Sequence, residues 1–323
     1  MSSQKNASQR ADRLTANKSS RTLTVGVVVI LVGLAVLVAV YLLRSNSLQS
    51  QVAAQPVQFP HIHGLGFSSD GGSLYVPAHI GLVLYSDERW SIPDIPKHDY
   101  MGYAAVDDGF YSSGHPDLRT DLPVRLGLVK SQDEGRTLTT LAFSGESDLH
   151  NMAAGYNSHA VYIINPEPNS QLIEGMYYTL DDGQSWNESL AQGIVSSPIQ
   201  IAAHPAENSV VAVATDRGAY FSSDYGNTFT LISNSEPISA ITFDPDGSRL
   251  LFGYQRLYSQ SLTDDLVSTI TLPTLSENDV ILYIAVNSVS EQLAVATANL
   301  DIFLSQDNGQ SWTQIAQRGV GVN

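Results

Sequence analysis

Ser131-Gln-Asp133-Glu-Gly135-Arg-Thr137-Leu138 recurs, with small changes, as Thr179-Leu-Asp181-Asp-Gly183-Gln-Ser185-Trp186, Ser222-Ser-Asp224-Tyr-Gly226-Asn-Thr228-Phe229 and Ser305-Gln-Asp307-Asn-Gly309-Gln-Ser311-Trp312. The shared pattern is Ser/Thr-x-Asp-x-Gly-x-Ser/Thr-aromatic, and Leu138 is its one departure. Such a spelling suits a hairpin turn: the carboxylate accepts from turn amides, Gly supplies positive φ, and the aromatic packs beneath. The four Asp residues are 48, 43 and 83 residues apart, so the last interval holds two repeats of about 40–45 residues. One period beyond Asp224 lies Thr263-Asp-Asp265-Leu-Val267-Ser-Thr269-Ile270, a degenerate copy with Val in place of Gly. One period before Asp133 lies Tyr85-Ser86-Asp87-Glu88-Arg89-Trp90, a shortened copy. The chain therefore carries six units.

Between these turns each unit offers short β-branched and aromatic runs bounded by Gly, Asn, Asp, Pro and Ser, which read as strands. The pattern resembles the Asp-box, or BNR repeat, of sialidase-like β-propellers, where the box joins the third and fourth strands of a blade. The expected fold is all-β, a six-bladed propeller over residues 57–318 with a tail at 319–323 and blades beginning near His61, Tyr100, His150, Pro198, Ile238 and Val280. The resemblance puts the boxes opposite the usual ligand face, which makes Asp133, Asp181, Asp224 and Asp307 structural.

Leu23–Leu43 is an uncharged run of 21 residues, and at 1.5 Å per residue a helix there spans roughly 30 Å, the thickness of a bilayer core. Lys5, Arg10, Arg13, Lys18 and Arg21 precede it against one acid, Asp12. That bias predicts a cytoplasmic tail (1–22), a transmembrane helix (23–43), a polar stalk (44–56) and a propeller outside the cell membrane. A cleaved signal peptide ending near Val52-Ala53-Ala54 is the competing reading; the apolar run exceeds the usual h-region and stops well short of that site.

From Ser45 onward there are 10 basic and 31 acidic residues, a net charge that disfavours nucleic acid as a partner. Cysteine is absent, so no disulfide staples the domain, as suits a bacterial exported protein.

Function is expected on the face opposite the boxes. Three blade entries align there: His61-Ile-His63, Asp99-Tyr-Met101 and His150-Asn-Met152. Residues i and i+2 of a strand share a face, which aims these groups at the channel mouth, with His79 and His115 on neighbouring loops. The ligand-binding candidates are His61, His63, His79, His115 and His150. As a metal site the same histidines are joined by Met101 and Met152: imidazole with thioether suits copper, and His with Glu146, Asp148 or Asp99 suits zinc. The competing reading is an ordinary polar mouth with Met152 in the core.

His61-Ile-His63-Gly-Leu-Gly-Phe67, Ser113-Gly-His115-Pro116 and Gly145-Glu-Ser-Asp-Leu-His150 resemble a bacterial group of exported, glycosyl hydrolase-like propellers. The resemblance implies no settled reaction. A sialidase reading fails on residues, because Gln58-Phe59-Pro60-His61 stands where Arg-Ile-Pro is usual. Another glycosidase would use two of Asp99, Glu146 and Asp148 as its carboxylate pair. The sequence thus predicts a membrane-anchored module that binds a metal, a protein or a small-molecule or glycan ligand, with a glycoside hydrolase on the same face as the alternative.

Overall fold

The computed structural model describes residues 56–233 and 236–322. The expected tail, membrane span and nearly all of the stalk lie outside them, and among the described residues no helix is long and apolar enough to cross a membrane.

Six antiparallel sheets follow one another along the chain, each a meander in sequence order. The first is β1 (Gly66–Phe67), β2 (Leu74–Ala78), β3 (Gly81–Ser86) and β4 (Arg89–Ser91); the second is β5 (Asp99–Val106), β6 (Gly109–His115), β7 (Leu128–Ser131) and β8 (Thr139–Ala142). The third is β9 (Met152–Ala154), β10 (Val161–Asn165), β11 (Gly175–Thr179) and β12 (Asn187–Ser189), and the fourth β13 (Pro198–Ala203), β14 (Val211–Thr215), β15 (Gly218–Ser222) and β16 (Thr230–Ser233). The fifth is β17 (Ala240–Phe243), β18 (Arg249–Gly253), β19 (Leu257–Ser261) and β20 (Val267–Ile270). The sixth has five strands: β21 (Ile281–Val286), β22 (Leu293–Thr297), β23 (Ile302–Ser305), β24 (Thr313–Gln317) and β25 (Val320–Gly321). First strands neighbour one another in a ring, and β1 meets β21. This is a six-bladed β-propeller.

Burial explains the strand spelling. The second strands of blades four and six, Val-Ala-Val-Ala-Thr and Leu-Ala-Val-Ala-Thr, are buried at every position because neighbouring blades cover both faces. They read as continuous apolar runs for the same physical reason as strands of a doubly covered sheet. Outer strands such as β20 are largely exposed.

The ring is clasped by its two ends. Phe59 N donates to Gly319 O (2.8 Å) and Gly321 N to Val57 O (2.8 Å), while Trp90 Nε1 of blade one donates to Ile315 O of blade six (2.6 Å). Residues 320–321, which the sequence leaves in the tail, thereby form β25.

The four repeated turns share one network whose hub is the Ser or Thr. Ser222 Oγ accepts from Gly226 N (3.0 Å) and Asp224 N (3.3 Å) and donates to Asp224 Oδ1 (2.7 Å). Asp224 accepts in turn from Thr228 N (2.9 Å) and Thr228 Oγ1 (2.6 Å). The same bonds recur around Ser131, Thr179 and Ser305. Two consecutive left-handed residues make the bend, Tyr225 (φ 62°) and Gly226 (φ 76°) here, and Gly relieves the second of them. In blade five the hub position falls to Ser261, whose Oγ accepts from Thr263 N (3.3 Å); the degenerate copy is thus offset by two residues from the alignment on Thr263. Blade one replaces the network by a two-residue turn with positive φ at Asp87 and Glu88, the geometry of a type I′ hairpin.

Candidate metal centre

All the repeated turns lie on one face, and the blade entries and the loops between second and third strands lie on the other. Two groups of side chains meet on this second face, over blades one to three. In the first, His63 Nε2 is 3.3 Å from His79 Nδ1 and 3.5 Å from Asp99 Oδ1, and His79 Nδ1 is 2.5 Å from Asp99 Oδ2. One donor atom from each of these three residues falls within 4.8 Å of the others. His61 adds a third ring, stacked on His63 at 6.2 Å and edge-on to His79 at 4.7 Å. In the second group His115 Nε2 (3.2 Å) and His150 Nε2 (2.9 Å) converge on Asp148 Oδ2.

Local structure puts these groups where they are. His63 N donates to Pro77 O (2.9 Å), which holds the entry of blade one against β2. Ser113 Oγ accepts from Leu149 N (2.8 Å), pinning the segment that carries Asp148 and His150 beside the end of β6. That approach requires Gly102: a Cβ there would lie 2.1 Å from Leu149 O. Gly114 (φ 136°) permits a similar approach, since its Cβ would lie 2.0 Å from Asp99 O. Ser113, Gly102 and Gly114 carry no chemistry of their own, so no candidate role falls to them from the sequence. The Gly-His and Met-Gly dipeptides beside candidate ligands were the available signal.

Met152 does not join the histidines as the spacing implied, and the spacing argument for Met101 is interrupted. β5 bulges between Tyr100 and Gly102, so the i, i+2 alternation linking Asp99 to Met101 is interrupted. Met152 is 6% exposed and packs with Val106, Leu128 and Ile163. Glu146 is also drawn away: its carboxylate accepts from Ser170 N (2.6 Å) and Ser170 Oγ (3.0 Å). The arginines of the long β6–β7 loop are spoken for, Arg119 by Asp117 and Arg125 by Glu167.

Electrostatics distinguish His63. Burial pushes its protonation below the usual imidazole range; Asp99 opposes this, and the neighbouring charges of His79, His61 and His150 reinforce it. Asp148 Oδ1 is buried with no hydrogen-bond partner among the described residues, and Asp99 Oδ1 faces His63 Nε2 at 3.5 Å. A third acid–imidazole group, Asp107, Asp108 and His159, lies on the opposite face and already contains a cation, since Lys130 Nζ sits 3.0 Å from Asp108 Oδ2 and 3.2 Å from His159 Nδ1.

Below the mouth a cavity of about 180 Å³, lined by Tyr103, Ala105, Ile201, Phe243 and Ile284 among others, follows the ring axis. Tyr156 Oη of blade three bonds Ser288 Oγ of blade six (2.8 Å), bridging two blades half a ring apart.

No protein-family model matches the chain, and no curated protein matches it significantly. Among solved structures it is similar to a GH74 enzyme from Niastella koreensis, with a TM-score of 0.54 and 16% identity over 80% of this chain and 46% of that one. It is also similar to the GH74 xyloglucanase of Xanthomonas campestris (TM-score 0.49, 13% identity, 81% of this chain and 46% of that one). A third similar structure is YCF48 bound to D1 peptide (TM-score 0.45, 16% identity, 80% of this chain and 83% of that one). The chain spans less than half the length of the two GH74 chains. At such identities the first of these likenesses speaks for the propeller fold alone.

Proposed function

We propose that this chain is a membrane-tethered propeller, facing outward, whose mouth over blades one to three binds a divalent transition-metal ion. One observation carries the reading: imidazole nitrogens of His63 and His79 and the carboxylate of Asp99 meet at mutual distances of 2.5 to 3.5 Å. Tetrahedral zinc with bonds of about 2.0–2.2 Å places its ligand atoms about 3.3–3.6 Å apart, so the nitrogen pair already stands at the required separation. The near-tetrahedral separation of these nitrogen and oxygen donors suits zinc, and imidazole serves copper(II) as well. Three protein ligands leave a position for water, a substrate group or the nearby His61.

The tether rests on the basic flank and the apolar run of 23–43, and the scaffold role of the repeated turns rests on their likeness to Asp-boxes. A glycosidase on this face is less well supported. Glu146 is engaged by Ser170, which removes one of the three carboxylates such an enzyme would draw on.

Zinc titration of the purified chain against a competing chromophoric chelator tests the proposal. Saturable binding that His63→Ala/His79→Ala weakens at least about 100-fold is expected. Absence of binding to the folded protein, or a variant that binds as tightly as wild type, would refute it. Turnover of any member of an aryl-glycoside panel would return the hydrolase to first place.

A further inference from the structure

At the end of the axial cavity remote from the mouth, one imidazole ties neighbouring turns together. His204 lies on the β13–β14 turn and is 9% exposed, and each ring nitrogen has a partner that fixes its role. Nδ1 accepts from the backbone amides of Ala206 (3.2 Å) and Glu207 (3.0 Å), so it carries no proton. Nε2 faces the carbonyl of Gly247 on the β17–β18 turn at 3.2 Å, so it carries one. Both sets of bonds exist only with the neutral ring. A second proton, on Nδ1, would point at two N–H donors and break their bonds. The fit is close, since a Cβ on Gly247 (φ 74°) would lie 2.6 Å from His204 Cε1 and the ring stands edge-on to Phe243 at 5.2 Å.

The contacts run on from this ring to the bridge across the axis. Pro205 O accepts from Asn157 N (2.9 Å) and Ser158 N (2.7 Å) of the β9–β10 turn, and a Cβ on Gly155 of that turn would lie 2.6 Å from His204 O. Tyr156, between these contacts, bonds Ser288 Oγ on the β21–β22 turn (2.8 Å). Tyr156, Pro205, Pro245 and Ser288 all line the cavity. Turns of blades three to six thus close this end, and His204 fastens the one in the middle.

From this geometry we infer that the end of the axial cavity remote from the mouth is an acid-released gate: protonation of His204 frees the β13–β14 turn, loosens the Pro205 anchor and lets the Tyr156–Ser288 bridge part. Burial holds the protonation of His204 below its ordinary 6.5, with the Gly247 carbonyl and the charge of Glu207 opposing. The sign follows: the closed turn prefers the neutral ring, so a released turn binds the proton more readily, and acid favours release from pH 6.5 down to the lower value of the closed ring. The other charged groups on the adjoining turns are already engaged. Asp244 pairs with Arg249, Asp246 accepts from Ser248 N, and His159 faces Asp107 and Lys130. The gate shares no residue with His63, His79 and Asp99 and stands apart from the zinc reading.

Hydrogen exchange on the full-length chain in detergent reads the release. Below pH 6.5, protection of the Ala206, Glu207, Asn157 and Ser158 amides, corrected for intrinsic exchange at each pH, is expected to fall by up to about tenfold per pH unit. His204→Asn keeps a side-chain oxygen that can accept the same nearby amides and does not titrate, so its protection is expected to stay level. Circular dichroism identifies a variant that has failed to fold, and His204→Gln then replaces it. Opening is read by a single thiol, Val286→Cys, on the cavity wall two residues before Ser288 in a chain that otherwise has no cysteine. Its rate of labelling by a small methanethiosulfonate, divided by the rate in the denatured chain at the same pH, is expected to rise between about pH 7.5 and about pH 5.5 with His204 and to stay constant with His204→Asn. Protection that does not change with pH in the wild type, or that falls equally in His204→Asn, overturns the role of His204. Release without any gain in labelling overturns the gate.

Discussion

Replacing Ser222 by Ala tests whether the hub of the repeated turns is the hydroxyl or the carboxylate. Ser222 is 2% exposed, and its Oγ is the acceptor for the buried amide of Gly226 at 3.0 Å. Removing it strands that donor, at a cost of about 1–3 kcal/mol. The Asp224 carboxylate takes part in three bonds, as many as Ser222 Oγ, but Thr228, which supplies two of them, is exposed. Water takes over at those groups, so Asp224→Ala is expected to cost no more than about 1 kcal/mol. For a domain of this size each kcal/mol moves the midpoint by about 2–4 °C, so Ser222→Ala should lower Tm by about 2–12 °C. Asp224→Ala should lower it by clearly less. Differential scanning calorimetry with zinc titration of both variants is the assay. Equal stability of Ser222→Ala and wild type, or a larger loss in Asp224→Ala, would refute the hub. Loss of zinc affinity in either variant would contradict the separation of scaffold from site.

Zinc affinity is expected to be level from pH 8 to 7 and to fall below about pH 6, since ligating imidazoles must be neutral. The lowered protonation of His63 means that it competes with protons only below its ordinary 6.5, and isothermal titration across pH reads this; affinity that rises on acidification would contradict an imidazole site. Gly102→Ala forces a Cβ to within 2.1 Å of Leu149 O, so it is expected to cost about 1–3 kcal/mol; a variant with wild-type melting would show that the approach is not needed. Protease added to intact cells is expected to digest the propeller and spare the first twenty residues, and a reporter fused at Asn323 that works only in the cytoplasm would reverse the orientation.

Blade number and strand order were legible because the turn network makes specific demands. Two consecutive left-handed residues require Gly at the second, and the buried hub requires a hydroxyl, so Ser/Thr-x-Asp-x-Gly survives as a readable word at Asp133, Asp181, Asp224 and Asp307. In blade five only Ser261 remains, and with no Gly to anchor the alignment the copy was set two residues too far along. The histidine arc was legible because first strands of successive blades point at one axis, which makes His61, His63 and His150 neighbours whatever their loops do. The period of two misleads at Met152, which is buried in the core, and it is interrupted before Met101. A bulge breaks the period of two, and one residue of slip sends a side chain to the other face. The β5 bulge has no signature beyond the Gly that follows it.

The asymmetry of the ring argues most strongly for a site rather than a merely polar rim. All six blades share one construction, so a rim that served only solubility would spread its polar groups evenly. Instead His61, His63, His79, His115 and His150 fall on the first three blades. On the same face, blades four to six carry no described histidine, as His204 lies on the turn side with its ring accepting from Ala206 N and Glu207 N. The Tyr156–Ser288 bridge near the other end of the axis leaves the mouth over these three blades as the side from which a ligand meets the cavity.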